Sequence, residues 1–125
     1  MSEAMNPMGW FEIPVHDMAR AKAFYEHVLG LQLEDHQMGP NQMAWFPMHK
    51  TGIGASGSLV KGGGYEPSSD GVLIYFTAPD LEAAMARAKD KGGQVLTEIT
   101  DIGEYGFYAL VRDTEGNRIG LHSRE

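Results

Sequence analysis

The sequence predicts an α+β fold of two βαβββ modules whose mixed β-sheets form a cupped cavity. Two observations support this fold class. When the chain is aligned with itself at an offset of 63 residues, Asp17 falls on Asp80 and Gly30 falls on Gly93. Each half also has the pattern of a strand, a helix and three strands. Because a four-stranded sheet with one helix leaves a face uncovered, the two units are expected to surround a shared concave ligand site.

The first module is predicted at about residues 8–61. Aromatic and β-branched residues at 9–15 favour a strand. Asp17 is a good N-cap for the following helix, which is expected to end at Gly30, where glycine tolerates positive φ. Three strands are then predicted at 31–36, 42–48 and 55–61. The apolar residues with helical spacing are Met18, Ala21, Tyr25 and Val28, with Phe24 and Leu29 beside them.

A stretch rich in Gly, Pro and Ser at 62–71 predicts a flexible linker between the modules. The second module is predicted at about 72–123 and begins with a strand at 72–78. Asp80 is expected to cap a helix that runs to about residue 91, where Gly92 and Gly93 end it. Further strands are predicted at 94–96, 105–112 and 118–122, so the whole chain is expected to form one domain.

Composition limits the classes of partner and the location. The chain has 125 residues, and its 10 Lys and Arg against 17 Asp and Glu give a net charge of −7. Such a charge disfavours nucleic acid and anionic membrane surfaces. The absence of Cys excludes disulfides and thiol nucleophiles. Glu3, Glu12 and Asp17 interrupt the N-terminal region, so neither a signal peptide nor a membrane span is predicted, and we expect a cytoplasmic protein.

Two longer motifs resemble a known family. They are DMARAKAFY at 17–25, running into VLGL at 28–31, and RDTEGNRIGL at 112–121. In these motifs, over about residues 8–123, the chain resembles the vicinal oxygen chelate superfamily, which includes glyoxalase I, extradiol dioxygenases, and bleomycin and fosfomycin resistance proteins. WFEIP at 10–14 and GNRIGL at 116–121 are similar to the subgroup of predicted enzymes related to lactoylglutathione lyase. The resemblance implies the two-module fold and leaves isomerisation, ring cleavage, epoxide opening and drug binding open.

The resemblance also implies four metal-ligand positions, near Trp10, Ser58, Leu73 and Gly120. Tryptophan, leucine and glycine offer no side-chain ligand, and a lone serine hydroxyl binds divalent ions poorly. We therefore expect no metal site of the family type and no cofactor. A displaced site that uses Glu12 and His122 stays open as an alternative, although two ligands without a third make a poor site.

Strand alternation indicates which residues face the cavity. It places Glu12 on the same face as Trp10, Tyr75 on the same face as Leu73, and His122 on the same face as Gly120. Glu12, Tyr75 and His122 are therefore expected to converge in the cavity. A Glu12 desolvated by its aromatic neighbours would have a raised pKa and is the candidate catalytic base; otherwise it only shapes the pocket. The predicted ligand-binding residues are Trp10, Glu12, Trp45, Ser58, Tyr75 and His122. The remaining histidines, His16, His27, His36 and His49, lack metal-ligand spacing and are expected at the surface.

Three functions remain open at this point. The loss of the family's ligand positions favours metal-independent binding of a small organic molecule, with aromatic walls and an acidic cavity that suit a cation. The alternative is a glyoxalase-related lyase or isomerase that uses a displaced metal or Glu12 as a base. An interaction domain with a filled cavity is the third. A short chain with two modules also favours a homodimer, with the modules pairing within or between chains.

Overall fold

The computed structural model describes residues 6–124 and confirms the predicted α+β fold of two modules. The first module contains β1 (Trp10–Pro14), α1 (Met18–Leu29), β2 (Glu34–Met38), β3 (Asn41–Trp45) and β4 (Ser56–Lys61). The second contains β5 (Tyr75–Thr77), α2 (Leu81–Asp90), β6 (Gln94–Asp101), β7 (Phe107–Arg112) and β8 (Arg118–Ser123), with a 3₁₀ turn at Gly103–Tyr105. In the described part of the chain, neither helix is long and apolar enough to cross a membrane.

Each module forms one mixed four-stranded sheet with the same connectivity. Sheet A has the strand order β1-β4-β3-β2, and sheet B has the order β5-β8-β7-β6. In each sheet the first and last strands of the module pair in parallel, and the other pairings are antiparallel. The internal repeat in the sequence therefore corresponds to a structural repeat.

The helix boundaries follow the predicted caps. The Asp17 side chain accepts a hydrogen bond from the backbone N–H of Arg20, and Asp80 accepts one from that of Ala83. Gly30 ends α1 with φ of 67°, in the left-handed region that side chains other than glycine's disfavour. The buried residues of α1 are Met18, Ala21, Phe24, Tyr25 and Val28, which include the predicted apolar face.

Several strand boundaries differ from the prediction. β2 begins at Glu34 instead of residue 31, because the N–H groups of Leu31 and Leu33 bond to the backbone and the carboxylate of Glu26. β3 ends at Trp45, β5 is only three residues long, and β6 continues to Asp101. Shifts in the pairing register with β7 interrupt the alternation of inward and outward side chains along β6. The sequence pattern therefore does not show how long β6 is.

One hydrophobic core joins the two modules. The helices contact each other, α1 also packs on β3 and β4, and α2 packs on β6, β7 and β8. Phe11 and Phe46 from sheet A meet Phe76 from sheet B, with ring centroids 5.6 and 5.5 Å apart. Each sheet thus gives one face to the shared core. We call the opposite faces, which point away from this core, the outer faces of sheets A and B.

A buried acidic turn between β7 and β8 ties the second module to the start of α1. Glu115 Oε1 accepts hydrogen bonds from the backbone N–H groups of His16 at 2.8 Å and Asp17 at 2.7 Å. Its Oε2 accepts one from Arg20 Nε at 2.7 Å. Burial opposes ionisation of Glu115, but the hydrogen bonds it accepts outweigh burial and lower its pKa to about 2. Glu115 therefore joins the modules as a carboxylate.

We expect Glu115→Gln to lower the free energy of unfolding at pH 7 by about 1.5–3 kcal/mol, the usual contribution of a hydrogen bond to a charged group. Because the folded-state pKa lies below the ordinary value of 4.5, this stabilisation is present above pH 4.5 and is lost as the pH falls toward 2. Urea denaturation across that range should therefore show the difference between wild type and variant shrinking with falling pH.

The matched control is Glu104→Gln, which changes an exposed carboxylate. It should alter the unfolding free energy by less than about 0.5 kcal/mol. Equal stability of the two variants at pH 7 would show that the Glu115 contacts do not hold the modules together.

Candidate functional site

The outer face of sheet A carries four of the predicted ligand-binding residues. Trp10 and Glu12 come from β1, Trp45 from β3 and Ser58 from β4. The two indole rings meet edge to face, with centroids 5.6 Å apart. Trp10 is 39% exposed, and together with Glu12 it borders a cavity of about 380 Å³ beside β1. The β1 side of this face is therefore aromatic and accessible, whereas Ser58 is buried.

A row of polar side chains crosses this face from strand to strand. Strand register places Glu12 opposite Ser58, and Ser58 opposite Trp45; we call these three residues the polar row. Ser58 Oγ and Trp45 Nε1 are buried, and neither has a hydrogen-bond partner within residues 6–124. A buried polar group left without a partner costs about 1–3 kcal/mol. The row thus holds two groups that a ligand or a water could satisfy.

Glu12 is exposed, and its carboxylate is engaged by the segment that joins the modules. Tyr65 donates its hydroxyl hydrogen to Glu12 Oε1 at 3.0 Å, and this bond and the nearby negative charge raise the pKa of Tyr65. Phe11 packs into the core and Tyr75 belongs to sheet B, so neither covers Glu12 within the chain. The desolvation that the general-base hypothesis needs is therefore not supplied by the described residues of one chain.

Tyr75 and His122 lie on the outer face of sheet B. Together with Tyr108, Leu110 and Ile102 they line a depression of about 450 Å³. His122 Nε2 donates to the carbonyl of Tyr105 at 2.7 Å, which fixes the orientation of its ring. One chain therefore does not bring Glu12 together with Tyr75 and His122, because the residues border different cavities on different sheets.

The side chains at the family's ligand positions do not fit a divalent metal. In sheet A, Glu12 lies opposite Ser58, and in sheet B, Tyr75 lies opposite Gly120, so these two pairs correspond. Trp10 lies opposite Ser56 instead. The ring of Tyr75 fills the space that a side chain at position 120 would occupy. Among the side chains of these two pairs, Glu12 supplies the single carboxylate. Across residues 6–124, no group of three or more His, Asp or Glu side chains could hold a metal ion.

The structure adds two residues that the sequence analysis missed at this site. His36 was expected at the surface, but its ring stacks on Trp45 with centroids 3.8 Å apart, and Nε2 lies 2.8 Å from Glu34 Oε1. Tyr65 was assigned only to the linker. In the β2–β3 pairing His36 lies opposite Met43 and Glu34 opposite Trp45, so His36 is diagonal to Trp45 on the same face, and its stacking depends on side-chain packing that the sequence pattern does not show.

Replacing Ser58 tests whether its hydroxyl is unsatisfied. We expect Ser58→Ala to leave the melting temperature of the ligand-free protein unchanged or raised, since it removes a buried polar group that lacks a partner in the described chain. Ser123→Ala is the matched control, because Ser123 is also buried but donates to the carbonyl of Pro79 at 3.1 Å. It should cost about 1 kcal/mol. A larger loss for Ser58→Ala in thermal denaturation would contradict this description of the polar row.

Comparison with known proteins agrees with the fold and the motifs. The family model described as Glyoxalase/Bleomycin resistance protein/Dioxygenase superfamily matches residues 8–121. CFP32 of Mycobacterium tuberculosis, named as a candidate glyoxylase, is 32% identical over 111 residues, which cover 86% of this chain and 40% of that protein. The chain therefore spans less than half the length of this curated relative.

Two solved structures share the whole architecture. TnmS3, an antibiotic binding protein from Streptomyces sp. CB03234, superposes with a TM-score of 0.72 at 25% identity, covering 99% of this chain and 100% of that one. A glyoxalase/bleomycin resistance protein from the same strain gives a TM-score of 0.70 at 26% identity, with 92% and 98% covered. The chain belongs to the glyoxalase/bleomycin resistance protein/dioxygenase superfamily, as its motifs predicted.

Proposed function

We propose that this protein binds a small organic ligand on the outer face of sheet A and needs no metal to do so. The observation that carries the proposal is a group of contacting aromatic side chains that shares the outer face of sheet A with a carboxylate, next to a cavity that Trp10 and Glu12 border. Trp10, Trp45 and His36 supply the rings, and Glu12 supplies the carboxylate. The structural likeness to TnmS3, which is described as an antibiotic binding protein, supports this class of function.

The chemistry of this face suits a flat molecule that carries a positive charge or a hydrogen-bond donor. Aromatic side chains bury large apolar areas and attract cations over their ring faces. Glu12 accepts hydrogen bonds, and the net charge of −7 favours the approach of cations. Anionic ligands are disfavoured by the same charges.

The proposal includes metal independence because the side chains of the polar row are poor ligands for a metal ion. Glu12 is the sole carboxylate of the polar row, and Ser58 and Trp45 are poor metal ligands. Catalysis by Glu12 is not included, because the carboxylate is exposed and already accepts the Tyr65 hydroxyl. A base of that kind would need its surroundings to exclude water.

We further propose that two copies form a homodimer in which sheet B of one chain covers sheet A of the other. The charges support this arrangement, since the outer face of sheet A carries Glu12 and Glu34, and that of sheet B carries Arg112 and Arg118. Tyr75 is 51% exposed in the single chain. Such a dimer would bring the predicted residues of both sheets around one ligand.

The dimer can be tested by sedimentation equilibrium. We expect the wild type to have twice the chain mass of 13.7 kDa, and Ile102→Asp to shift the protein toward monomer, because Ile102 borders the depression on sheet B. Ile53→Asp is the control, since Ile53 is an apolar side chain that is fully exposed elsewhere in the chain. A monomeric wild type would contradict the arrangement.

Ligand class and metal independence can be tested together by thermal shift. Ligands that bind only the folded state raise its melting temperature, so the planar cation proflavine should do so in EDTA, whereas Ni²⁺, Zn²⁺, Mn²⁺ and Fe²⁺ should not. Glu12→Gln should weaken proflavine binding about two- to fivefold, the range of an exposed ion pair.

Glu82→Gln on α2 removes one negative charge far from the aromatic face and serves as the charge control. It should leave the affinity for proflavine unchanged. A melting temperature that rises with one of the metals, together with proflavine binding that EDTA abolishes, would overturn the metal-free proposal.

A further inference from the structure

We infer that the cavity beside β1 binds a zwitterion that carries a carboxylate for Arg118, an amine for Glu12 and an apolar ring for Trp10. This inference rests on the proposed function and adds to it the class of ligand. All three side chains border the same cavity of about 380 Å³. This volume lies in the range of small-molecule sites in proteins.

The cavity lies where three segments of one chain meet. β1 forms one wall, the linker and the residues before β5 form the second, and the start of β8 forms the third. Asn117 ties these walls together, because its Nδ2 donates to the carbonyl of Pro14 at 2.8 Å and its Oδ1 accepts the backbone N–H of Ser68 at 3.0 Å. The cavity is therefore formed within the single chain and does not need a partner.

Arg118 supplies this cavity with a cation that the described chain leaves unpaired. The arginines of α1, α2 and β7 each donate to an oxygen of the chain. In contrast, the guanidinium of Arg118 makes no hydrogen bond or ion pair within residues 6–124, and its Nε is buried without an acceptor. A guanidinium is a planar fork of donors that matches the two oxygens of a carboxylate. A ligand carboxylate would therefore supply the acceptors that Arg118 lacks.

The acidic side of the cavity requires that the ligand also carry an amine. Glu12 and Glu66 both border the cavity, so a simple anion would be repelled. Glu66 Oε2 lies 3.7 Å from His16 Nε2, whereas Glu12 accepts only the uncharged Tyr65 hydroxyl, at 3.0 Å. An ammonium group would form a charge-assisted hydrogen bond to Glu12. A zwitterion thus balances both charged sides of the cavity.

Apolar side chains at the cavity call for an apolar ligand body. Trp10 and Met8 border it and are exposed, and Val72 beside them is 90% exposed. Covering such side chains removes apolar surface from water, which favours binding. Trp10 also offers an aromatic ring for stacking. An aromatic amino acid combines this body with the carboxylate and the amine.

Three probes with the same indole ring separate the two polar groups. L-Tryptophan carries both, tryptamine lacks the carboxylate, and indole-3-propionate lacks the amine. In isothermal titration calorimetry at pH 7 in EDTA, we expect L-tryptophan to bind about tenfold more tightly than tryptamine, which cannot bond to Arg118. It should bind about two- to fivefold more tightly than indole-3-propionate, which cannot bond to Glu12.

Variants assign each preference to its residue. Arg118→Gln should weaken L-tryptophan and indole-3-propionate about tenfold and leave tryptamine within about twofold. Arg118→Lys keeps the charge but loses the planar fork, so its losses should be smaller. Glu12→Gln should weaken L-tryptophan and tryptamine about two- to fivefold and spare indole-3-propionate. Lys89→Gln removes an exposed positive charge on α2 and should leave all three affinities unchanged.

The outcomes separate the inference from the proposed function. If proflavine and all three indoles fail to bind the wild type, both fail together. If proflavine or tryptamine binds and L-tryptophan binds no more tightly than tryptamine, the proposed function stands and the inference is wrong.

Two results with the Arg118 variant would also overturn the inference. Equal losses for L-tryptophan and tryptamine would show that the substitution disturbs the cavity as a whole. A lower mass of Arg118→Gln than of wild type in sedimentation equilibrium would assign Arg118 to the interface between copies. The inference holds if the losses follow the carboxylate of each probe and the mass is unchanged.

Discussion

The shared core between the two modules is the constraint from which the rest of the structure follows. Because Phe11 and Phe46 of sheet A and Phe76 of sheet B pack together with the two helices, each sheet has only one face left for other contacts. The Glu115 carboxylate fixes this arrangement by bonding the β7–β8 turn to the start of α1. The outer faces therefore lie outside this core, although Met43, Ser58 and Val60 on the outer face of sheet A are buried.

The polar row on the outer face of sheet A lowers the stability of the single chain because two of its polar atoms are buried without a partner in residues 6–124. A hydroxyl and an indole N–H that lack partners in the described chain destabilise the free protein, and natural sequences usually avoid such groups. They share the outer face of sheet A with Trp10, His36 and Glu12, and a molecule that reached them would supply the missing hydrogen bonds. Because residues 6–124 contain no group of three His, Asp or Glu side chains that could hold a metal ion, the proposed recognition relies on hydrogen bonding and stacking.

The fold was accessible from sequence because its signals are local. The caps at Asp17 and Asp80 are set by neighbouring residues, the repeat is visible as matching residues at a fixed offset, and the structure confirms both. β6 was underestimated because register shifts break its alternation. The site was accessible in part: alternation placed Trp10 with Glu12, but the stacking of His36 and the direction of the outer faces depend on tertiary packing. No local pattern encodes that Ser58 Oγ is unpaired within residues 6–124.

We propose that an organic ligand binds the aromatic face of sheet A without a metal. A crystal structure of the protein grown with proflavine in EDTA tests this proposal. We expect the proflavine rings to lie against Trp10, with a ligand nitrogen within hydrogen-bond distance of the Glu12 carboxylate. Proflavine bound elsewhere, or bound through a metal ion that survived EDTA, would contradict the proposal.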